Sequence, residues 1–237
     1  CFAVIATAGT TVRGAIDPLS EIAKFCKKEK VWLHVDGAIG GIYGLSTSTS
    51  EIVQGIDSAD SITVNPQKLL GIAKTSSLLL VANKNHLSST FSTGLPYAEP
   101  ISGNDLHGGE LGIQGTRSAE SLKLWIGLRQ LGEDGIEKII LDSIKRRCYL
   151  ESIIDASKFK VISGPLHLLA FTPINYNSSE ATEWSIKTRN SLLSCKFMLS
   201  RPIYRDRYYL KAVMGNPNTK FEDIDELANL INNSIID

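Results

Sequence analysis

The chain has 237 residues, of which 43% are hydrophobic, enough to bury one large domain or a domain and a half. Twenty-five basic residues balance twenty-five acidic ones, so there is no overall field to gather nucleic acid or an anionic membrane, and small molecules or protein subunits are the expected partners. The longest apolar runs, such as Leu78-Leu79-Leu80-Val81-Ala82, fall far short of the roughly 20 residues of a membrane span.

The sequence opens at Cys1 rather than Met, directly on an apolar strand pattern over 2–7, which gives the expectation that further sequence precedes it. The turn Gly9-Thr10-Thr11 follows. Asp17 then reads as a helix N-cap with Pro18 at the first helical position, and Leu19, Ile22, Ala23 and Cys26 recur at i, i+3, i+4 and i+7. A strand over 31–36 ends in the small-residue loop Gly37-Ala38-Ile39-Gly40-Gly41. A short helical stretch over 51–54 leads to a strand over 61–65, and a fourth strand covers 77–82. This βαβ rhythm predicts an α/β fold with a mostly parallel sheet. Ligands of such sheets gather at the carboxyl ends of the strands, where Thr10, Asp36, Asn65 and Lys68 fall.

Residues 84–115 read as a long Gly- and Ser-rich connection, of the length used for lids. A helix over 118–131 places Leu122, Trp125 and Leu128 on one face, and Ile136, Ile139, Ile140 and Ile144 mark a second, longer helix. Beyond about 154 the pattern becomes α+β, with strands over 159–163, 166–172 and 208–213 and a helix over 180–194. The last helix opens with a capping box, Thr219 and Glu222, ahead of Ile224, Leu227, Ala228 and Ile231. The expected organisation is an α/β unit over 1–115, connecting helices over 116–153 and a small α+β domain over 154–237. Cys1, Cys26, Cys148 and Cys195 lie far apart, without metal-site or disulfide-scaffold spacing, and fit reduced thiols of a cytoplasmic protein.

Three features carry chemistry, each weak alone. Asp36 ends a hydrophobic strand and is followed by small residues that let a flat ligand approach, although an acid there is more often a turn or cap residue. Lys68 closes Asn65-Pro66-Gln67-Lys68 just past a strand end, where a lone lysine is normally solvated. Ala6-Thr7-Ala8-Gly9-Thr10-Thr11 brings hydroxyls and amides to another strand end, with ordinary turn chemistry as its alternative.

Together these pieces resemble the group II pyridoxal-phosphate decarboxylases, the family of aromatic amino-acid, glutamate and cysteine-sulfinate decarboxylases. The family's H-V-D-A-A motif stands as His34-Val35-Asp36-Gly37-Ala38, its N-P-H-K motif as Asn65-Pro66-Gln67-Lys68, and its A-T-x-G-T-T turn is intact. Gly115-Thr116-Arg117, Leu122-Lys123-Leu124-Trp125, Leu210-Lys211-Ala212-Val213 and Asn216-Pro217 continue the likeness to the carboxyl end. The resemblance implies a type I, aspartate aminotransferase-like fold, with 1–115 as the carboxy-terminal part of the cofactor-binding large domain. It also implies pyridoxal 5'-phosphate as cofactor, decarboxylation of an L-amino acid to an amine, and homodimers with shared sites.

Carried over by motif, Lys68 would hold the cofactor as a Schiff base, which requires a neutral amine. Asp36 would face the pyridine nitrogen and keep it protonated, so that the ring acts as an electron sink. Thr11 and Asn65 match cofactor-contacting positions and Ala38 the small residue against one ring face. His34 would orient the cofactor or be a satisfied core histidine. Tyr97 matches the mobile-loop tyrosine that hands a proton to the α-carbon. Gln67 departs from the family's histidine; it can hydrogen-bond a phosphate but cannot titrate. The family's stacking residue and phosphate cradle lie upstream of Cys1, so the chain is expected to be inactive alone. Another type I chemistry (aldehyde synthase, desulfurase, carbon–carbon lyase) and a non-catalytic remnant stay open as alternatives.

Overall fold

The structure is a computed structural model that describes residues 1–74, 76–92, 108–115 and 118–235. Among these, four strands form the first sheet in the order β1 (Ala3–Thr7), β2 (Trp32–Asp36), β3 (Ser61–Val64) and β4 (Leu78–Val81). The first three run parallel, in a register that aligns Thr7 with Asp36 and Asp36 with Thr63. β4 returns antiparallel, with Thr63 opposite Leu79.

Alternation along these strands sorts the sheet into two faces. Val4, Ala6, Leu33, Val35, Ile62 and Val64 join a hydrophobic cluster with Leu19, Ala23 and Cys26 of helix α1 (Leu19–Glu29) and with Ile136 and Ile140. The opposite face carries Ile5, His34, Asp36, Thr63 and Leu79, and Ile5 is 71% exposed on it.

The start of α1 corrects the expected cap. Pro18 occupies the N-cap position and no side chain caps it. The Asp17 carboxylate instead accepts the amide of Thr7 at 2.7 Å, so a contact across 10 residues replaces the local one. The stretch near 51–54 is a 3-10 turn over Ser50–Val53. Residues 84–115 are not all connection: helix α2 spans Asn85–Phe91 and a 3-10 turn spans Gly108–Glu110, with 93–107 outside the described residues.

Helix α3 (Glu120–Ile153) is kinked at Gly132, whose φ of 63° and ψ of 179° admit glycine almost alone. This break separates the two helices expected from the sequence. On the first half Leu128 packs against the first cluster, whereas Trp125 is 61% exposed.

The second sheet runs β5 (Phe159–Ser163), β6 (Leu168–Pro173), β9 (Leu210–Val213), all antiparallel neighbours. Every residue of β6 is buried, as befits a central strand covered on both faces. Phe159, Phe171 and Trp184 form an aromatic trio in the second cluster, with Trp184 on helix α4 (Ser178–Ser194). Asn177 caps α4, its side chain accepting the amides of Ser179 and Glu180 while Glu180 accepts the amide of Asn177.

A hairpin of β7 (Ile203–Tyr204) and β8 (Arg207–Tyr208) turns through Arg205 and Asp206, both at positive φ. The expected strand over 208–213 is thus two strands. Helix α5 (Phe221–Asn232) starts one residue later than the predicted box implies: the carboxylate of Asp223, not of Glu222, accepts the amide of Lys220. Ile224, Leu227, Ala228 and Ile231 are buried as the periodicity predicts. No helix among the described residues is long and apolar enough to cross a membrane. All four cysteines are unpaired thiols.

Candidate active site

The carboxyl ends of the three parallel strands meet at one edge of the open face. The amide of Ala8 donates to the carbonyl of Asp36 at 2.9 Å and the amide of Gly40 to that of Ala8 at 2.9 Å, so the turn after β1 is laced to the loop after β2. That lacing needs glycine. A Cβ on Gly40 would lie 2.5 Å from the Ala8 carbonyl oxygen, and one on Gly37 would lie 3.0 Å from that of Thr63.

Asp36 is exposed, and its Oδ1 accepts the amide of Ala38 at 3.1 Å. This bond orients the carboxylate without using its second oxygen. His34, two residues earlier on the same face, is half-buried between hydroxyls: Nδ1 lies 2.8 Å from Ser61 Oγ and Nε2 3.2 Å from Thr63 Oγ1. Both ring nitrogens are therefore engaged by β3.

The next strand end supplies the lysine. The amide of Lys68 donates to the carbonyl of Asn65 at 2.9 Å and closes a turn, while Asn65 Oδ1 accepts the Ser77 hydroxyl at 2.7 Å. Gln67 Oε1 accepts the amide of Ser76 at 2.8 Å, which ties the turn to the approach of β4. The oxygen of Gln67 is thus committed, leaving its NH2 for a ligand. Leu69 and Leu70 are buried immediately after the exposed Lys68. They anchor the turn while the ammonium makes no hydrogen bond or ion pair among the described residues.

Thr11 is exposed, and its carbonyl accepts Lys211 Nζ at 3.2 Å. Lys211, projecting from β9, is held below the ordinary lysine range by burial first and then by the charge of Lys68. Its proximity to Lys68 was not read from the sequence, although an ionisable residue inside the apolar run Leu210-Lys211-Ala212-Val213 was the available signal. Tyr97 and residues 116–117 lie outside the described residues.

The set fits pyridoxal phosphate on the chemistry of its groups. A carboxylate with one oxygen left over by the Ala38 amide stands at one strand end, and a lysine with no hydrogen bond or ion pair among the described residues follows the adjacent one.

An α/β unit with such a site defines a class of cofactor-binding enzyme folds, and the comparisons with known proteins name the family. The pyridoxal-dependent decarboxylase conserved domain matches residues 1–171. The aromatic-L-amino-acid decarboxylase of Bacillus atrophaeus is 31% identical over 232 residues, covering 94% of this chain and 48% of the relative. Human cysteine sulfinic acid decarboxylase is 36% identical over 169 residues, covering 69% and 34%. Among solved structures, mouse CSAD superposes with a TM-score of 0.87 at 28% identity, over 98% of this chain and 52% of that one. Rice TDC with PLP and tryptamine, at 22% identity, shares the fold with a TM-score of 0.88.

The chain belongs to the pyridoxal-dependent decarboxylase family, with its type I α/β fold and its cofactor. It spans about half the length, or less, of the curated relatives it matches.

Proposed function

We propose that this chain forms the lysine-bearing half of a decarboxylase that converts an L-amino acid to its amine and carbon dioxide. The observation that carries the reading is the pairing of the exposed Asp36 carboxylate at the end of β2 with the exposed, unpaired Lys68 just past the end of the neighbouring β3. When bound, pyridoxal phosphate supplies the electron sink that accepts the pair left by the departing carboxylate.

In this reading Lys68 holds the cofactor covalently, and Asp36, steered by the amide of Ala38, holds a proton on the ring nitrogen. His34 braces the ring from the sheet face, while Thr11, Ala38, Asn65 and the NH2 of Gln67 border it. Tyr97 is assigned the proton transfer to the α-carbon, and Tyr97→Phe should slow amine formation by about 10²- to 10⁴-fold. The acidic and aromatic amino acids named among the relatives are the substrates to assay. A cytoplasmic homodimer with sites completed at the subunit interface belongs to the same proposal.

The test is borohydride reduction of the complete polypeptide with pyridoxal phosphate, followed by peptide mapping and by product analysis over that amino-acid panel. Label on Lys68 with amine and carbon dioxide as products is expected. Label on Lys74 or another lysine overturns the assignment, and aldehyde or sulfide as product overturns the decarboxylase reading. Asp36→Asn should keep the label on Lys68 but lose turnover; near-native turnover would remove Asp36 from its role.

A further inference from the structure

Behind the Lys68 turn lies a buried polar pair that the reaction does not touch. Tyr43, in the 3-10 turn Gly41–Leu45 that follows the Asp36 loop, and His167, just before β6, are both buried. The Tyr43 hydroxyl lies 2.8 Å from His167 Nδ1 and accepts the backbone amide of His167 at 3.1 Å. The hydroxyl and Nδ1 thus share a hydrogen bond inside the core, and Ser143 also hydrogen-bonds the Tyr43 hydroxyl. Burial acts in the same sense on both partners, raising the Tyr43 hydroxyl to about 12 and lowering the His167 imidazole to about 4.

The pair is connected to Lys68 through the end of β9. The carbonyl of His167 accepts the amide of Met214 at 2.9 Å, and the carbonyl of Met214 accepts Arg146 Nε at 3.1 Å. Gly215, the next residue, is packed between two side chains. A Cβ there would meet Leu69 Cδ1 at 3.2 Å on one side and His167 Cδ2 at 3.4 Å on the other. Leu69 directly follows Lys68. The Asp36 loop and the Lys68 turn are therefore joined by Tyr43, His167, Gly215 and Leu69 in sequence.

The geometry points to Tyr43 and His167 as a positioning pair for Lys68: they fix the end of β9 on which Leu69 rests, and so set where the Lys68 side chain leaves its turn. This inference rests on the reading of Lys68 as the cofactor lysine. It gives a reason for a tyrosine and a histidine in a region where aliphatic residues would fill the space without needing each other.

The first test needs no cofactor. Hydrogen exchange in the chain should rise on the order of tenfold over residues 66–72 in Tyr43→Phe and in His167→Leu. Exchange in β5 should stay near native. His167→Asn, whose carbonyl oxygen stands near the place of Nδ1 and can accept from Tyr43, should restore protection of the turn. Gly215→Ala, which presses on Leu69 and His167 directly, should loosen the same segment with the pair intact.

The second test is the rate at which pyridoxal phosphate is fixed to Lys68 in the complete polypeptide. It should fall on the order of tenfold to a hundredfold in Tyr43→Phe and recover in His167→Asn relative to His167→Leu. Exchange that rises equally across β5, or does not rise over 66–72, overturns the inference, as does unchanged trapping at Lys68. Trapping at a different lysine in the unmodified protein overturns the Lys68 reading instead, and the two failures are thereby distinct.

Discussion

β2 and β6 are both interior strands of their sheets, yet they are written differently. Leu168-Leu169-Ala170-Phe171-Thr172-Pro173 is buried at every position, with Leu169 and Phe171 packed into the second cluster. Trp32-Leu33-His34-Val35-Asp36 alternates, burying Leu33 and Val35 against α1 and leaving His34 and Asp36 on the open face. A strand that only supports can be apolar throughout, whereas a strand that carries chemistry has one face free for polar groups. The contrast shows where the chain invests in stability and where it leaves chemistry accessible.

The largest effect expected from that contrast is at Phe171. Its ring meets Phe159 and Trp184 edge-on, with centroids 5.9 Å apart for Phe159 and 6.2 Å for Trp184, and Phe171→Ala should cost about 3–5 kcal/mol in denaturant unfolding. A cost below about 1 kcal/mol would mean that β6 is not the supporting strand.

His167 sharpens the comparison through pH. Its imidazole, ordinarily near 6.5, is lowered to about 4 by burial first and by the charges of Arg146 and Lys211 next, with the neutral Tyr43 hydroxyl facing it. The unfolded chain therefore takes up a proton between these two values that the folded chain refuses. Stability from this group is full above about pH 6.5, is lost progressively as pH falls toward 4, and the loss totals about 3 kcal/mol. Unfolding of the native chain and of His167→Asn, measured across that window, should differ by this slope; parallel curves would show that His167 titrates normally.

Gly132→Ala should cost about 1–3 kcal/mol by backbone strain alone, since a Cβ there meets nothing within 4 Å. The helical signal should drop with it if the two halves of α3 then separate. Ile5→Ala, on the open face, should change the stability of the chain by less than about 0.5 kcal/mol. A larger loss would show that the open face is covered.

Much of this was legible where the determinants are local. Asp36 and the threonine turn announce themselves as strand ends with small neighbours, Lys68 by its Asn-Pro-Gln-Lys context past a strand end, and α5 by its periodicity. Legibility failed where a distant group outcompeted a local one. Asp17 looks like a cap, but its carboxylate is taken by the amide of Thr7. The β7–β8 hairpin turns on Arg205 and Asp206 at positive φ, without the Asn-Gly or Asp-Gly signal such a turn usually carries. Tyr43 and His167 meet across 124 residues, and each reads on its own as an ordinary core residue.

The first strand has a consequence for handling the chain in solution. Among the described residues β1 is paired with a strand on one side only, β2; on its other edge Asp17 takes the amide and carbonyl of Thr7, which leaves the stretch around Ile5, beside Phe2 that is 91% exposed, without a strand partner. Such an edge is a template for any extended segment that reaches it. At high concentration the isolated chain is therefore expected to self-associate edge to edge through β1, and a lysine in place of Ile5 should raise the concentration at which turbidity first appears.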